Sequence, residues 1–139
     1  MEEQSEVARQ IHRLAVMTDQ QRYEEASLVF ADDAFLARPG EEIRTRAAIL
    51  RSLLARPVER LTRHVIGSCL VERTERGVAS TTYVMVFRKL GETAGRAVSV
   101  PLPYRPPETV AEYRDDWVQE GGQWRILRRV VQPVFDAGA

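Results

Sequence analysis

The feature that most limits how this chain can fold is a change of period at Pro57. Before it, apolar residues recur every three or four positions, the spacing of a helix with one buried face. After it they alternate every second position, the spacing of strands. A chain that changes period once in this way folds as an α+β domain, with helices packed on one face of a curved antiparallel sheet.

In the helical part, Val7, Ile11, Leu14, Ala15 and Thr18 form one stripe of a first helix over residues 3–18. A second helix is predicted over residues 20–30, with Tyr23, Ala26 and Phe30 on one side. The stretch ADDAFLARPG reads as a short strand closed by a Pro-Gly turn. Thr45 is a natural N-cap for a third helix, whose Ile49, Leu50, Leu53 and Leu54 face inward until Pro57 stops it. Beyond Pro57, LTRHVIGSCLVERTE, GVASTTYVMVFRKL, TVAEYRDDWVQE and QWRILRRVVQPVF read as four strands. They are joined at the turn-forming segments RTERG, LGETAG and EGGQ. The segment VSVPLPYRPPE holds four prolines and suits an edge or rim loop rather than a central strand.

At 139 residues the sequence suits a single domain over residues 1–139. Twenty Lys and Arg balance twenty Asp and Glu, so there is no global basic field to gather nucleic acid or anionic lipid. The opening MEEQSEVARQ lacks the basic and apolar regions of a secretory signal, and no apolar run approaches a membrane span. The single cysteine, Cys69, excludes an internal disulfide and fits a reducing compartment, so a cytoplasmic protein is expected. Phosphate-cradling glycine motifs are absent, and His12 and His64 have no partners at metal-ligand spacing, so neither a metal nor another cofactor is expected.

The residues with chemical promise centre on His64. By alternation it shares a face with Thr62, Ile66, Ser68 and Leu70, while Cys69 falls on the opposite face, against a Cys-His pair. A histidine in such company is either a satisfied core residue or the base of a pocket. Asp19 bears on the choice, because it lies at the edge of the first helix's apolar stripe and can look across the helix end toward the sheet. It could instead cap the second helix. A carboxylate on one imidazole nitrogen would fix the tautomer and leave the other nitrogen free as a base. Tyr23, Tyr83, Met85, Phe87, Tyr113 and Trp117 could line a pocket or simply fill the core. Asp115 and Arg128 could form an ion pair between adjacent strands.

The segments MTDQQRYEEASLVFADDAFLARPG, TRHVIGSC and AEYRDDWVQEGGQWRILRR resemble the SnoaL-like branch of the nuclear transport factor 2-like superfamily. Scytalone dehydratases and ring-hydroxylating dioxygenase β subunits are relatives of that branch. The resemblance implies a cone-shaped barrel of strongly curved antiparallel sheet around three N-terminal helices, with one enclosed pocket. Asp19 and His64 match the family's Asp-His dyad. Ser68 stands where many relatives place Asn, Met85 or a neighbour takes the space of a second active-site histidine, and Asp115 matches the late-strand aspartate that polyketide cyclases use. The substrate-binding set implied is Tyr23, Ser68, Tyr83, Met85, Tyr113, Asp115, Trp117 and Arg128.

The function expected is a cofactor-free cyclase, dehydratase or isomerase acting on a hydrophobic small molecule such as a polyketide or terpenoid intermediate. Tyrosine hydroxyls or Arg128 would stabilise the developing enolate. An epoxide-opening hydrolase and a non-catalytic scaffold resembling a dioxygenase β subunit are the alternatives. Val65, Val71, Val84, Val86 and Val118 are expected on the outer face of the sheet, where they would join two copies into a homodimer.

Overall fold

The structure, a computed structural model, describes residues 2–90 and 100–137. Helix α1 (Glu2–Asp19) is followed by a short α2 (Tyr23–Ser27), then by the hairpin β1 (Phe30–Arg38) and β2 (Glu41–Arg44). Helix α3 (Arg46–Leu54) leads into the long strands β3 (Arg60–Thr74), β4 (Gly77–Leu90), β5 (Thr109–Glu120) and β6 (Gln123–Asp136). The strands form one sheet in the order β2-β1-β6-β5-β4-β3. Bulges in the β3–β4 and β5–β6 ladders bend it strongly. α1 lies against the sheet and buries Val7, Ile11 and Leu14, and these pack with Val29, Ile49, Trp117 and Ile126 in the main core.

Three expectations need correcting. The sheet is mixed, because β1 runs parallel to β6 while every other pairing is antiparallel. Local alternation identifies strands and hairpins, but β1 and β6 lie at opposite ends of the chain and no turn sets their relative direction. Nor do all three helices precede the sheet, since β1 and β2 come before α3. Finally, the stretch 20–30 is not one helix. Gln21 adopts a left-handed φ of 59°, and the Arg22 N–H donates to Met17 C=O at 2.9 Å while the Gln21 N–H donates to Thr18 C=O at 3.0 Å. That is a Schellman turn, which closes α1 at Asp19 and leaves five residues to α2.

The remaining boundaries follow local chemistry. The Thr45 hydroxyl accepts from the Ala48 N–H at the start of α3, as a cap should. Gly121 and Gly122, both with positive φ, make the two-residue turn between β5 and β6. From Val100 on, the proline-rich segment carries no strand, while the LGETAG joint falls outside the described residues beyond Leu90.

Candidate functional site

The Schellman turn leaves Asp19 as the last residue of α1. A carboxylate there faces the negative end of the helix dipole, a place where a cation would serve stability better. Its partners come from β3. As the edge strand of the sheet, β3 has N–H groups that no neighbouring strand takes up. The His64 N–H donates to Asp19 Oδ2 at 2.8 Å, and Thr62 Oγ donates to Oδ1 at 2.8 Å. His64 Nδ1 lies 2.6 Å from the same Oδ1. The Gln21 amide fixes the approach by donating to the carbonyls of Val58 and Arg60 at the entrance of β3.

Asp19 therefore does not cap α2, whose N-cap Arg22 makes no side-chain cap bond. Burial alone would raise the Asp19 pKa, but the hydrogen bonds and charge of His64 and the Thr62 hydroxyl outweigh it, so the carboxyl lies below its ordinary value. An ionised Asp19 is placed to accept from an Nδ1–H, the pairing that would select one tautomer of the ring. Both side chains are largely shielded, with His64 13% and Asp19 9% exposed.

His64 faces a cavity of about 90 Å³ under α1 and α3, which it shares with Leu14, Leu36, Ile49 and Tyr113 and with Arg38, Arg56 and Arg129. Burial lifts the Tyr113 phenol above its usual pKa, and Asp115 and Asp19 act in the same direction against Arg129 and Arg56. Tyr113 is thus a neutral phenol with a proton to donate. The Arg129 guanidinium stacks 4.0 Å from the centre of its ring and makes a two-pronged ion pair with buried Asp115, at 2.7 and 2.8 Å. Burial works against the Arg129 charge, yet the charge and hydrogen bonds of Asp115 outweigh it and hold the guanidinium above its usual value. Both carboxylate oxygens of Asp115 are engaged in that pair.

The other expected pocket residues lie elsewhere. Tyr83 and Met85 stand on the outer face, 52% and 39% exposed. In the β3–β4 register His64 pairs with Val86 and Ile66 with Val84, so the even-numbered residues of β4 face inward. Val84 and Val86, expected outside, are buried with Ala111 against Tyr113. Small side chains fill this inner face, and the larger Tyr83 and Met85 point away from it. Val71 and Val118 also pack against the main core rather than standing free on the outside.

Ser68 falls in the bulge between Ile66 and Cys69, where the alternation that placed it beside His64 breaks, and it is exposed. The same bulge turns Cys69 to within 3.5 Å of the hydroxyl of buried Thr82. Trp117 is a core residue whose indole N–H donates to Ser80 at 2.8 Å, and Tyr23 packs on the core edge. The expected Asp115–Arg128 pair does not form. An extra residue at Leu127 shifts the β5–β6 register, so Arg128 is exposed over the Phe35 ring and Arg129 takes the inward place.

Four site residues were missed by sequence reasoning: Thr62, Arg129, Arg56 and Arg38. Thr62 was legible, two residues from His64 on the same face; the arginines were not, because their convergence depends on the bulge and on the packing of α3. A roomier groove of about 710 Å³ runs beneath the proline-rich segment, lined among others by Leu61, Thr62, Phe87, Arg88 and Tyr104, and touches the site at Thr62. Among the described residues, no group of three or more His, Cys, Asp or Glu side chains is placed to hold a metal, and no helix is long and apolar enough to cross a membrane.

N-terminal helices packed on a strongly curved mixed sheet define a class of small α+β proteins. The chain belongs to the SnoaL-like domain family, whose model matches residues 1–130. Its fold is similar to that of a candidate scytalone dehydratase from Novosphingobium aromaticivorans, at 18% identity and TM-score 0.75, covering 96% of this chain and 85% of that one. ActVI-ORFA from Streptomyces coelicolor aligns at 16% identity and TM-score 0.76 over 96% and 98% of the two chains. An NTF2-like protein with a cystatin-like fold, also from N. aromaticivorans, aligns at 20% identity and TM-score 0.75 over 99% and 86%. No curated protein sequence matches the chain significantly.

Proposed function

We propose that this protein is an acid/base enzyme of the lyase or isomerase type, working without a cofactor on a hydrophobic small molecule that carries a carbonyl group. The observation that supports it most is the 2.6 Å contact between His64 Nδ1 and Asp19, with the imidazole facing a cavity beside Tyr113. In this reading Nε2 of neutral His64 takes a proton from the carbon next to the carbonyl. The C–H electron pair moves into the new C=C bond, and the carbonyl oxygen gains the charge. Tyr113 donates a hydrogen bond to that oxygen as the charge develops, an interaction stronger in the transition state than in the ground state. Asp19 steadies the imidazolium. The proton then returns to another carbon, an isomerisation, or to a departing hydroxyl group, a dehydration. The likeness to a candidate scytalone dehydratase supports the same class of chemistry.

Proton abstraction can be tested without the natural substrate, by following exchange of the α-protons of cyclic ketones such as 2-tetralone in deuterated water by NMR. Wild-type protein should accelerate exchange. His64→Ala should slow it by about 10²–10⁴, the usual contribution of a general base. Asp19→Asn should also slow it, and the double variant should be little worse than His64→Ala alone, because the two side chains act as a unit. Equal exchange by wild type and a well-folded His64→Ala protein would rule the reading out.

A further inference from the structure

Four arginines from four parts of the chain line one groove of about 360 Å³: Arg38 at the end of β1, Arg56 just beyond α3, Arg60 at the start of β3 and Arg88 in β4. Arg38 and Arg56 line the His64 cavity as well, so groove and cavity adjoin. Arg88 sits directly across the ladder from Thr62, the residue that holds Asp19. The counter-charges are too few. Arg38 meets Glu41 at 2.5 Å, and Arg88 meets Glu108 at a loose 3.4 Å. Among the described residues neither Arg56 nor Arg60 has a carboxylate within ion-pair distance.

A single arginine after α3 is explained by the helix dipole, but that leaves three more cations gathered around it. Burial, followed by the charges of Arg38, Arg60 and Arg88, pulls the Arg56 pKa below its usual value, which marks the arrangement as self-repelling. Such a cluster reduces stability and is relieved by an anion. Guanidinium forks match the paired oxygens of a carboxylate or phosphate. The groove adjoins the His64 cavity through Arg38 and Arg56, so one small molecule can reach both.

We propose that the groove formed by Arg38, Arg56, Arg60 and Arg88 binds an oxyanion, a carboxylate or phosphate ester, borne by the substrate whose apolar part enters the His64 cavity. This deepens the acid/base reading by naming the substrate class, an anionic carbonyl compound held at one end by arginines and offered to His64 at the other. The oxyanion is a positioning handle and takes no part in proton transfer.

The probes are benzoate against neutral benzamide, phenyl phosphate against phenol, and inorganic phosphate alone, measured by calorimetry and thermal shift. At least one anion should bind about tenfold or more tightly than its neutral partner, a difference of about 1.4 kcal/mol. Which pair shows the larger ratio distinguishes carboxylate from phosphate. The preference should fade between about 0.1 and 1 M salt as the Debye length shrinks from about 10 to about 3 Å. Arg56→Gln and Arg38→Gln should each remove it, and Arg56→Gln without ligand should melt no lower than wild type, because it relieves repulsion. His64→Ala should keep the full anion preference while losing proton exchange, so a failed acid/base reading leaves the anion site standing, and the converse also holds. Equal binding of anions and neutral partners, no binding of any anion, or a preference that survives Arg56→Gln would each overturn the proposal.

Discussion

At the residue scale, two shielded carboxylates of this chain, Asp19 and Asp115, have been given opposite surroundings. Asp19 accepts three hydrogen bonds, from the Thr62 hydroxyl and from the backbone and ring of His64, and none comes from a permanent cation. Asp115 is clamped by both prongs of Arg129. The first arrangement holds an imidazole by hydrogen bonds rather than by a permanent cation. The second has its charge already neutralised, which suits support of Tyr113. The pair should therefore behave as a structural unit. Asp115→Ala, by leaving Arg129 buried and unpaired, should cost about 3–5 kcal/mol, whereas Asp115→Leu combined with Arg129→Met should recover most of that loss, since apolar replacements of buried pairs are often neutral. Urea unfolding of the single and double variants decides it; a double variant as unstable as the single would mean that both side chains have other essential partners.

At the scale of elements, what the sequence made legible stops where regular periods stop. The stripe from Val7 to Thr18 is continuous, so α1 and its buried face could be read directly. Alternation along β3 holds from Thr62 to Ile66, which is why His64 could be placed on the inner face next to its partner from α1. Two residues later the bulge releases Ser68 to the surface, and a second bulge exchanges Arg128 for Arg129. Alternation sorts residues into two faces but does not say which face is buried when both are apolar. The runs Val84, Val86 and Tyr83, Met85 look equally hydrophobic, and only pairing with His64 separates them.

The start of α3 shows a second kind of hidden term. Thr45 has a φ of 80°, unusual for a β-branched residue, while its hydroxyl caps the helix and its N–H donates to Ala34 C=O. Thr45→Ala loses the cap and keeps the strain, so it should cost about 0.5–2 kcal/mol. Thr45→Gly loses the same cap but removes the strain, and should cost less than Thr45→Ala. Thermal unfolding of the two variants checks the order; a glycine variant less stable than the alanine one would show that the positive φ carries no strain.

At the scale of the whole molecule, the corrected register redraws the surface through which two copies could meet. Val65, Met85, Val110 and Phe135 are successive partners across β3, β4, β5 and β6, so they stand in one row on the outer face of the sheet. Phe135 is 69% exposed, with Tyr83 exposed nearby. A row of large apolar side chains across four strands is more than isolated surface hydrophobes account for, and a sheet face offers the flat, self-complementary shape of a two-fold interface. The homodimer expected from the valines thus rests on different residues, with Val65 common to both sets and Val84 and Val86 moved to the core. In such a dimer Met85 from each copy packs near the axis, away from the His64 cavity on the opposite face. Sedimentation at micromolar concentration should give twice the mass of one chain. Met85→Lys, which sets like charges against each other in the middle of the row, should shift the protein to monomer while leaving the cavity and its proton exchange intact. A wild-type protein that stays monomeric at these concentrations, or a Met85→Lys protein that dimerises as well as wild type, would show that this face meets no second copy.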